Sequence, residues 1–355
     1  MENLRFEKCC TLKPKPTDEG NLGFGKIFTD YMLMMDHTGQ SGWHNARIVP
    51  YGPLSLDPAT SSLHYGQLIF EGFKAYKNKR GEVVMFRPRD NFERLNRSGA
   101  RLCMPPIDID FILKAISELV RLEQDWIPTG AGTSLYIRPF VISADEFLGV
   151  NPSDKYLFLT ILSPVGNYYK EGMRPVRIYV EDKYARSGPG GTGFSKCAGN
   201  YAASLLAQRN AAEKGYTQVL WLDGKERRYI EEIGTSNVFF VIDGEIITPP
   251  TGETVLAGIT RDSSIQLLRS LGYTVSEREI TIDEVCEAYR AGKLEEAFAT
   301  GTAAVVSPIG ELAWKDESMQ LSGGEIGLVT RTLHDELVGI QRCEKDDPFG
   351  WVVRV

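Results

Sequence analysis

The spacing of apolar residues along the chain predicts a succession of helices and strands. Apolar side chains recur at helical spacing over about 109–125. These positions are Phe111, Ile112, Ala115, Ile116, Leu119 and Val120. Two extended segments follow, Ser134–Ser143 and Tyr156–Val165, and the second is apolar almost throughout. A continuous apolar run of this length is typical of a strand buried on both faces.

Shorter signals extend this prediction to the rest of the chain. Further helices are expected over about 90–102 with Asp90 as N-cap, about 201–214 closed by Gly215, 260–271 ended by Gly272, after the capping box Thr281–Glu284 up to Gly292, and about 327–341. Further strands are expected within 24–48 around a turn at 37–42, at 83–86, 176–180 and 219–222, and in a hairpin over 237–248 that turns at Asp243-Gly244. Hairpins outnumber clear βαβ units, so the pattern favours an α+β fold.

The chain length of 355 residues favours two domains. Residues 1–20 are polar, with Pro14 and Pro16, and are predicted to form a loose arm. The segment 166–175 is polar, contains glycine and ends in proline, which is typical of an interdomain connection. The predicted division is therefore a smaller N-terminal domain over 1–165 and a larger C-terminal domain over 176–355.

Charge and cysteine content exclude several classes of protein. The net charge is −7 and the basic residues are scattered, which argues against a nucleic-acid-binding protein. Six cysteines without a C-x-x-C pair, with only four histidines, argue against a metal site and fit a reducing cytoplasm. The N-terminus lacks the apolar core of a signal peptide, and no apolar run is long enough to span a membrane. We therefore expect a cytoplasmic protein that binds neither nucleic acid nor membranes.

The segment 188–201, GPGGTGFSKCAGNY, places five glycines around one lysine, Lys196. A solvated lysine in a flexible loop is the ordinary interpretation of such a segment. Gly188, Gly190 and Gly193 also match the dinucleotide-binding pattern G-x-G-x-x-G. However, seven residues separate Val180 from Gly188, so the first glycine is not the tight turn directly after a strand. A third hypothesis is a partly desolvated lysine that acts as a nucleophile.

Several motifs in order resemble the branched-chain amino acid aminotransferases, which are fold type IV pyridoxal-phosphate enzymes with a D-amino acid aminotransferase-like, two-domain fold. The motifs are FGKIFTDYM (24–32), SSLHYGQLIFEGFKAY (61–76), FRPRDNFERL (86–95), SLYIRP (134–139), GGTGFSKCAGNY (190–201), QVLWLDG (218–224), EEIGTSN (231–237), LAGITR (256–261) and ATGTAAVVSP (299–308). The resemblance covers about residues 20–355. It implies reversible transamination between L-leucine, L-isoleucine or L-valine and 2-oxoglutarate, which gives branched-chain 2-oxo acids and L-glutamate.

By this resemblance, pyridoxal 5'-phosphate is the cofactor and Lys196 is its lysine. Lys196 is expected to form the internal aldimine and, once released, to shuttle the proton between substrate and cofactor. Glu232, rather than its neighbour Glu231, matches the partner of the pyridine nitrogen, and Arg87, rather than Arg89, matches the phosphate arginine. The remaining cofactor residues implied are Tyr201 at the phenolate oxygen, and Ile259, Thr260 and Thr302 at the phosphate.

The resemblance also implies a pocket for a carboxylate and a branched alkyl chain. Its implied lining residues are Phe24, Tyr65, Phe70, Tyr136, Arg138, Tyr168, Thr235 and Ala303. Arg138 offers a cation for the distal carboxylate of glutamate. A loop that includes Leu148 and Val150 is expected to cover the active site of a partner subunit, so a homodimer is implied.

Two positions differ from those of some members of the family. Ala304 and Ser307 stand where some members carry a C-x-x-C redox pair, so no thiol switch is expected there. Asn167 and Phe194 occupy variable positions, which leaves the preference among leucine, isoleucine and valine open.

The competing hypotheses are another fold type IV enzyme, such as a D-amino acid aminotransferase or aminodeoxychorismate lyase, a nucleotide-dependent oxidoreductase, and a non-catalytic binding protein.

Overall fold

The computed structural model describes residues 4–166 and 173–355, which form two compact units. The N-terminal unit contains residues 4–166, 195–198 and 340–355, and the C-terminal unit contains 173–194 and 199–339. The division predicted from the sequence assigned Lys196 to the C-terminal domain. In the structure, the segment Ser195–Ala198, which contains Lys196, belongs to the N-terminal unit. No helix in the described residues is long and apolar enough to cross a membrane.

The N-terminal unit is built on a mostly antiparallel sheet. Its first strands are β1 (Arg5–Phe6), β2 (Tyr31–Thr38), β3 (Gly42–Pro50), β4 (Leu68–Phe70), β5 (Phe73–Lys77), β6 (Val83–Phe86), β7 (Ser134–Ser143) and β8 (Tyr156–Val165). They lie in the order β1-β3-β2-β8-β7-β5-β6, and β4 pairs with β7. The pairing of β7 with β8 is continuous over ten residues, and both strands have the predicted bounds.

The α-helices of the described part of this unit include α1 (Ser61–Tyr65), α2 (Pro88–Arg101) and α3 (Ile109–Leu122). The predicted apolar face of α3 is confirmed, since Ile112, Ile116 and Leu119 are fully buried in the main core. A side-chain cap starts this helix, because Asp108 accepts a hydrogen bond from the Phe111 amide at 3.1 Å. Phe73 and Phe158, which lie on the sheet, belong to the same hydrophobic core as the apolar face of α3.

Asp90 does not cap α2, so that prediction is wrong. Pro88 supplies the first helical residue, which its fixed φ favours, and Arg87 occupies the N-cap position with φ 48° and ψ 46°. The helix therefore begins two residues earlier than expected, and Asp90 lies in its first turn. From there its carboxylate binds the Arg87 guanidinium, with Oδ1 2.7 Å from Nη2.

The N-terminal arm is held to the sheet rather than loose. Its strand β1 pairs in parallel with β3. Farther along, the Lys13 amide donates to Asp30 at 2.7 Å, and the Lys13 ammonium donates to the Thr29 carbonyl at 2.8 Å. The arm was predicted to be loose, but Asp30 is a buried carboxylate that requires donors, and the arm provides some of them.

The C-terminal unit is built on a mixed sheet. Its strands are β9 (Val176–Glu181), β10 (Gln218–Leu222), β11 (Ile230–Ile233), β12 (Asn237–Ile242), β13 (Glu245–Thr248), β14 (Val275–Glu277), β15 (Leu294–Gly301), β16 (Val305–Trp314) and β17 (Glu317–Gln320). They lie in the order β11-β10-β9-β16-β15-β12-β13-β14, with β17 beside β16. β9 is parallel to both of its neighbours, and β13 is parallel to β14. The predicted hairpin of β12 and β13 is confirmed, with Asp243 and Gly244 both at positive φ in its turn.

The helices of this part are α4 (Ala198–Ala202), α5 (Leu205–Glu213), α6 (Ile259–Ser270), α7 (Ile282–Arg290) and α8 (Leu328–Gln341). A single helix was predicted over 201–214, but the structure has a break between α4 and α5. At the break, the Ser204 hydroxyl donates to the Tyr201 carbonyl at 2.7 Å. This local hydrogen bond competes with continuation of the helix. Mixed helices and sheets in both units confirm the α+β class.

The last strand, β18 (Val352–Arg354), returns to the N-terminal sheet. It pairs antiparallel with β6, with Val352 opposite Phe86. Just before it, the Trp351 carbonyl accepts a hydrogen bond from the Arg87 amide at 2.8 Å. The end of the chain therefore completes the surroundings of Arg87.

Candidate active site

The backbone of Lys196 is fixed on both sides within the N-terminal unit. Its amide donates to the Ser98 hydroxyl of α2 at 2.8 Å. Its carbonyl accepts from the Phe70 amide at 3.0 Å, and the next residue, Cys197, forms a bridge with Ile69. Hydrogen bonds on both sides of one residue leave the side chain as its main degree of freedom, which suits a lysine that must reach a defined point.

Four of the residues singled out in the sequence form a continuous series of contacts that begins at this lysine. The Lys196 Nζ lies 5.1 Å from the centroid of the Phe70 ring, and the Arg138 Cζ lies 4.8 Å from the same centroid. Arg138 also donates to the Tyr136 hydroxyl at 2.9 Å, and the Tyr136 and Phe24 rings meet edge to face at 5.0 Å. Aromatic faces and two cations thus adjoin, an arrangement that can accept both an apolar group and a carboxylate.

Glycine at position 72 makes the placement of Tyr136 possible. A Cβ at Gly72 would lie 1.9 Å from the Tyr136 hydroxyl oxygen and 2.7 Å from its Cζ. The tyrosine therefore fills the space that a side chain at Gly72 would need. Separately, the Nε of Arg138 is buried and has no hydrogen-bond partner among the described residues, which leaves it with an unused donor.

Burial separates Arg87 from its neighbour Arg89. Arg87 is buried, binds Asp90 through Nε and Nη2, and lies 5.5 Å from the Trp351 ring centroid. Arg89 is half exposed and pairs with Asp110 at the surface. An arginine held in place by a carboxylate and an aromatic face is suited to present its planar fork to a phosphate. The two arginines therefore differ in burial and in their partners, and the assignment of Arg87 to a phosphate stays a prediction.

In the C-terminal unit, Glu232 on β11 is buried and held by two donors. Its Oε1 accepts from the Leu256 amide at 2.6 Å, and its Oε2 lies 3.0 Å from the Nε of Arg186, another buried side chain. The neighbouring Glu231 differs, because burial raises its pKa above the usual value and the nearby Glu232 adds to that effect. In the sequence, only the motif register distinguishes Glu232 from Glu231, whereas in the structure the two carboxylates differ in their partners.

The loop that binds Glu232 leads directly into α6. Asn237 donates to the Leu256 carbonyl at 2.9 Å, and a Cβ on Gly258 would lie 2.0 Å from the Asn237 Oδ1. Gly258 is the N-cap of α6 and provides no side-chain cap, so the first amides of the helix, Ile259 and Thr260, can bind an anion instead. Ile259 and Thr260 are themselves buried.

The turn that carries Thr302 lies beside the same end of the C-terminal sheet. Asn237 pairs with Thr300 across β12 and β15, and a Cβ on Gly301 would lie 2.9 Å from the Ser236 hydroxyl. The turn joins β15 to β16 and is followed by Val305 at φ 63°. A left-handed conformation is strained for a β-branched residue, and strained residues cluster at functional sites. Thr302 and Ala303 are half-buried in this turn.

The glycine-rich segment does not form a dinucleotide-binding turn. β9 ends at Glu181 and α4 begins only at Ala198. Between them, the Gly190 amide donates to the Glu253 carboxylate at 2.8 Å, and a Cβ on Gly193 would lie 2.5 Å from the Thr254 carbonyl oxygen. These glycines therefore allow two loops to pack closely, which removes the structural basis for the oxidoreductase hypothesis.

For the other predicted site residues, the structure shows mainly how exposed each side chain is. Tyr65, Leu148 and Val150 are exposed, at 45%, 66% and 81%. Tyr201 is half-buried in α4, and Thr235 is exposed in the turn between β11 and β12. The predicted pocket residue Tyr168 and the variable Asn167 lie outside the described residues. Among the described residues, no group of histidine, cysteine, aspartate or glutamate is placed to hold a metal ion.

Four residues that were not predicted from the sequence contribute to these contacts. They are Gly72, Ser98, Arg186 and Trp351. Ser98 and Lys196 are 98 positions apart, and Arg186 and Glu232 lie on separate segments, so no local pattern links them. Gly72 falls inside the motif LIFEGFKAY, which was the one available signal for it.

Known proteins are similar to this chain over most of its length. The chain matches the family Amino-transferase class IV over residues 68–312. It is 53% identical to "Branched-chain-amino-acid aminotransferase 2" of Bacillus subtilis, over 100% of this chain and 97% of the relative. It is 46% identical to the branched-chain-amino-acid aminotransferase of Mycolicibacterium smegmatis, over 94% of this chain and 92% of the relative.

Solved structures give the same result. The branched-chain amino acid aminotransferase of Escherichia coli superposes with a TM-score of 0.77 at 29% identity, over 91% of this chain and 98% of that one. The T.th. branched-chain amino acid aminotransferase complexed with N-(5'-phosphopyridoxyl)-L-glutamate superposes with a TM-score of 0.72 at 28% identity, over 90% and 97%. The fold is therefore fold type IV, and the chain belongs to the class IV aminotransferases, as a branched-chain-amino-acid aminotransferase.

Proposed function

We propose that the enzyme transfers the amino group of L-leucine, L-isoleucine or L-valine to 2-oxoglutarate, reversibly, with pyridoxal 5'-phosphate as cofactor and Lys196 as the catalytic lysine. The observation that carries this proposal is the series of contacts from Lys196 through Phe70 and Arg138 to Tyr136 and Phe24. It places an amine beside aromatic faces and a second cation, which are the groups that a branched or dicarboxylic amino acid requires.

The residues present fit this cofactor. The start of α6 has amides for a phosphate and no side-chain cap, and Arg87 offers a buried guanidinium. Glu232 is a carboxylate with two donors of its own, which suits a cationic ring nitrogen. We assign Arg87, Ile259, Thr260 and Thr302 to the phosphate, Glu232 to the ring nitrogen and Tyr201 to the phenolate oxygen.

When bound, pyridoxal phosphate provides the electron sink that stabilises negative charge at the α-carbon of the substrate. The protein must then hold the substrate and move one proton. Lys196 is proposed to take the proton from the α-carbon of the substrate through its Nζ and to deliver it to the aldehyde-derived carbon of the cofactor, two atoms away across the amino nitrogen. Ser98 and the Phe70 amide fix its backbone, so that the reach of the side chain is defined.

We assign Phe24, Tyr65, Phe70, Tyr136, Arg138, Tyr168, Thr235 and Ala303 to the substrate pocket. Arg138 is proposed to bind the distal carboxylate of glutamate, since it lies against two aromatic rings and has an unused buried donor within the described structure. The same aromatic faces would pack against the alkyl chain of leucine when no distal carboxylate is present. The glutamate-derived ligand of the similar T.th. enzyme supports a dicarboxylic partner.

We also propose a homodimer. Leu63, Tyr65, Phe147, Leu148 and Val150 are exposed apolar side chains, and we call them the exposed patch. Hydrogen bonds join the two segments that carry it, including the Phe147 amide to the Ala59 carbonyl at 3.1 Å. A cluster of exposed apolar side chains of this kind is typical of an interaction surface. A second copy of this chain is the proposed occupant.

The first test is the visible absorbance of the purified protein with pyridoxal phosphate, before and after addition of L-leucine. We expect a band that L-leucine converts, and we expect Lys196→Ala to lack it. Lys79→Ala, which removes a lysine that is 82% exposed, is the control and should behave as wild type. A wild-type protein that stays colourless would refute the cofactor assignment, and a band that responds only to D-amino acids would refute the substrate assignment.

A further inference from the structure

Arg186 is a buried arginine that joins three parts of the C-terminal unit. Its Nε lies 3.0 Å from the Oε2 of Glu232. Its Nη1 donates to the Thr254 carbonyl at 2.8 Å and to the Gly193 carbonyl at 3.2 Å. One guanidinium therefore ties the β11 carboxylate to the glycine-rich loop and to the loop that precedes α6.

Burial of both partners makes this pair electrostatically important. The side chains of Arg186 and Glu232 are 4% and 2% exposed. A carboxylate removed from water remains ionised only if charges and hydrogen bonds replace its hydration. Arg186 and the Leu256 amide provide both for Glu232. Glu231, one residue away, shows the opposite outcome, since burial is the largest influence on it and raises its pKa.

We infer that Arg186 is a positioning residue that keeps Glu232 ionised and thereby holds a proton on the cofactor's pyridine nitrogen. This inference rests on the proposed function. A proton shared by a carboxylate and a pyridine nitrogen is repelled by a cation that already binds the carboxylate, so it is favoured on the nitrogen. A protonated ring withdraws electrons more strongly, and Arg186 would thus act on the reaction without contact with the substrate.

Two matched variants separate charge from packing. Arg186→Lys retains the positive charge and loses the planar fork, whereas Arg186→Gln retains polar atoms and loses the charge. Arg177→Gln is the control, because it removes another arginine that pairs with a glutamate, Glu311, in the same unit. Circular dichroism and thermal unfolding would establish that each variant is folded before any comparison.

The primary measurement is the NMR shift of pyridoxal phosphate labelled at its pyridine nitrogen and bound to each protein. We expect a protonated nitrogen in wild type, Arg177→Gln and Arg186→Lys, and a shift toward the unprotonated value in Arg186→Gln. The same variant should lower kcat at least about tenfold, equivalent to about 1.4 kcal/mol, with a smaller change in KM.

Equal nitrogen shifts in Arg186→Gln and wild type would overturn the inference. Equal losses in Arg186→Lys and Arg186→Gln would also overturn it, because the role would then be packing rather than charge. Failure of the proposed function has a different signature, since the wild-type protein itself would then give no signal from bound cofactor.

Discussion

At the scale of single residues, Arg138 is proposed to distinguish the two kinds of substrate. We expect Arg138→Ala to lower kcat/KM for glutamate at least about tenfold more than for L-leucine, because only glutamate has a distal carboxylate that needs a cation. Steady-state kinetics with each amino donor would measure this difference. Arg47→Ala, which removes an arginine paired with Asp36 in the same unit, is the control. An equal loss for both donors would refute this role of Arg138.

Gly72 gives a second prediction at this scale. Gly72→Ala would place a Cβ 1.9 Å from the Tyr136 hydroxyl, so the ring must move and its hydrogen bond with Arg138 must break. We expect kcat/KM to fall about tenfold or more, with a loss of stability of about 1–3 kcal/mol from overpacking. Gly52→Ala is the matched control, since a Cβ there meets no atom within 4 Å. Wild-type kinetics in Gly72→Ala would show that the placement of Tyr136 is unimportant.

These residues also mark the limit of what the sequence could predict about the site. Lys196, Glu232 and Arg87 were selected by motif register, and their roles stay predictions, while the structure shows the burial and partners of each. Arg186 and Ser98 could not be found, because their partners are distant in the sequence and their own neighbours carry no pattern. Their importance arises only from tertiary contacts.

At the scale of elements, α7 shows how a local signal operates. The predicted capping box is half formed, since the Thr281 hydroxyl accepts from the Glu284 amide at 3.0 Å. The Glu284 carboxylate binds Arg278 instead of returning to the cap. The sequence pattern correctly located the start of the helix. The hydrogen bond from the Thr281 amide to the Glu284 carboxylate, which a complete capping box would add, is replaced by the ion pair between Glu284 and Arg278.

We therefore expect Thr281→Ala to lower the free energy of unfolding by about 1 kcal/mol. Activity should not change, because α7 carries none of the proposed site residues. Urea unfolding would measure the loss, and Thr281→Ser, which keeps the hydroxyl, should recover most of it. A Thr281→Ala variant as stable as wild type would mean that the cap contributes nothing.

Other elements show why prediction succeeded in some places and failed in others. β6, β7 and β8 were predicted with their bounds because apolar residues, several of them β-branched, dominate each segment. The break between α4 and α5 depends on one serine side chain, and the start of α2 depends on Pro88. Details of this kind depend on single hydrogen bonds or dihedral angles, which periodicity does not contain.

At the scale of the whole molecule, the buried Glu123, next to the carboxylate that anchors the N-terminal arm, gives stability a dependence on pH. The anchoring residue Asp30 lies close to Glu123, and burial raises the pKa of Glu123 to about 7 from its usual 4.5. Asp30 adds to this increase, while the Tyr31 amide and Lys15 oppose it. Because the folded pKa is above the unfolded one, the stability contributed by Glu123 is present below about pH 4.5 and is lost as the pH rises through about 7.

Glu123→Gln should therefore become more stable relative to wild type as the pH rises from about 5 to about 8. Its side-chain oxygen can still accept the Tyr31 amide hydrogen, so the packing is retained. Chemical unfolding across this pH range would test the prediction. Glu118→Gln, which changes a half-exposed acid on α3, should show no such trend. A constant difference between Glu123→Gln and wild type would contradict it.

The proposed homodimer gives the last prediction. Val150→Asp introduces a charge at an 81% exposed position of the exposed patch, where the folded monomer should tolerate it. We expect a shift toward monomer in analytical ultracentrifugation, with unchanged circular dichroism. Val150→Ala should shift the equilibrium less. If Val150→Asp assembles like wild type, the exposed patch is not the interface.

The return of β18 to β6 determines when this protein can finish folding during synthesis. The sheet of the N-terminal unit lacks its last strand until Val352–Arg354 has left the ribosome. The short segment Ser195–Ala198, which also belongs to this unit, is synthesised about midway through the chain. Until then a nascent chain has β6 as an open edge, which other strands can pair with. The N-terminal unit is therefore the part of the chain that a chaperone would have to protect for the longest time.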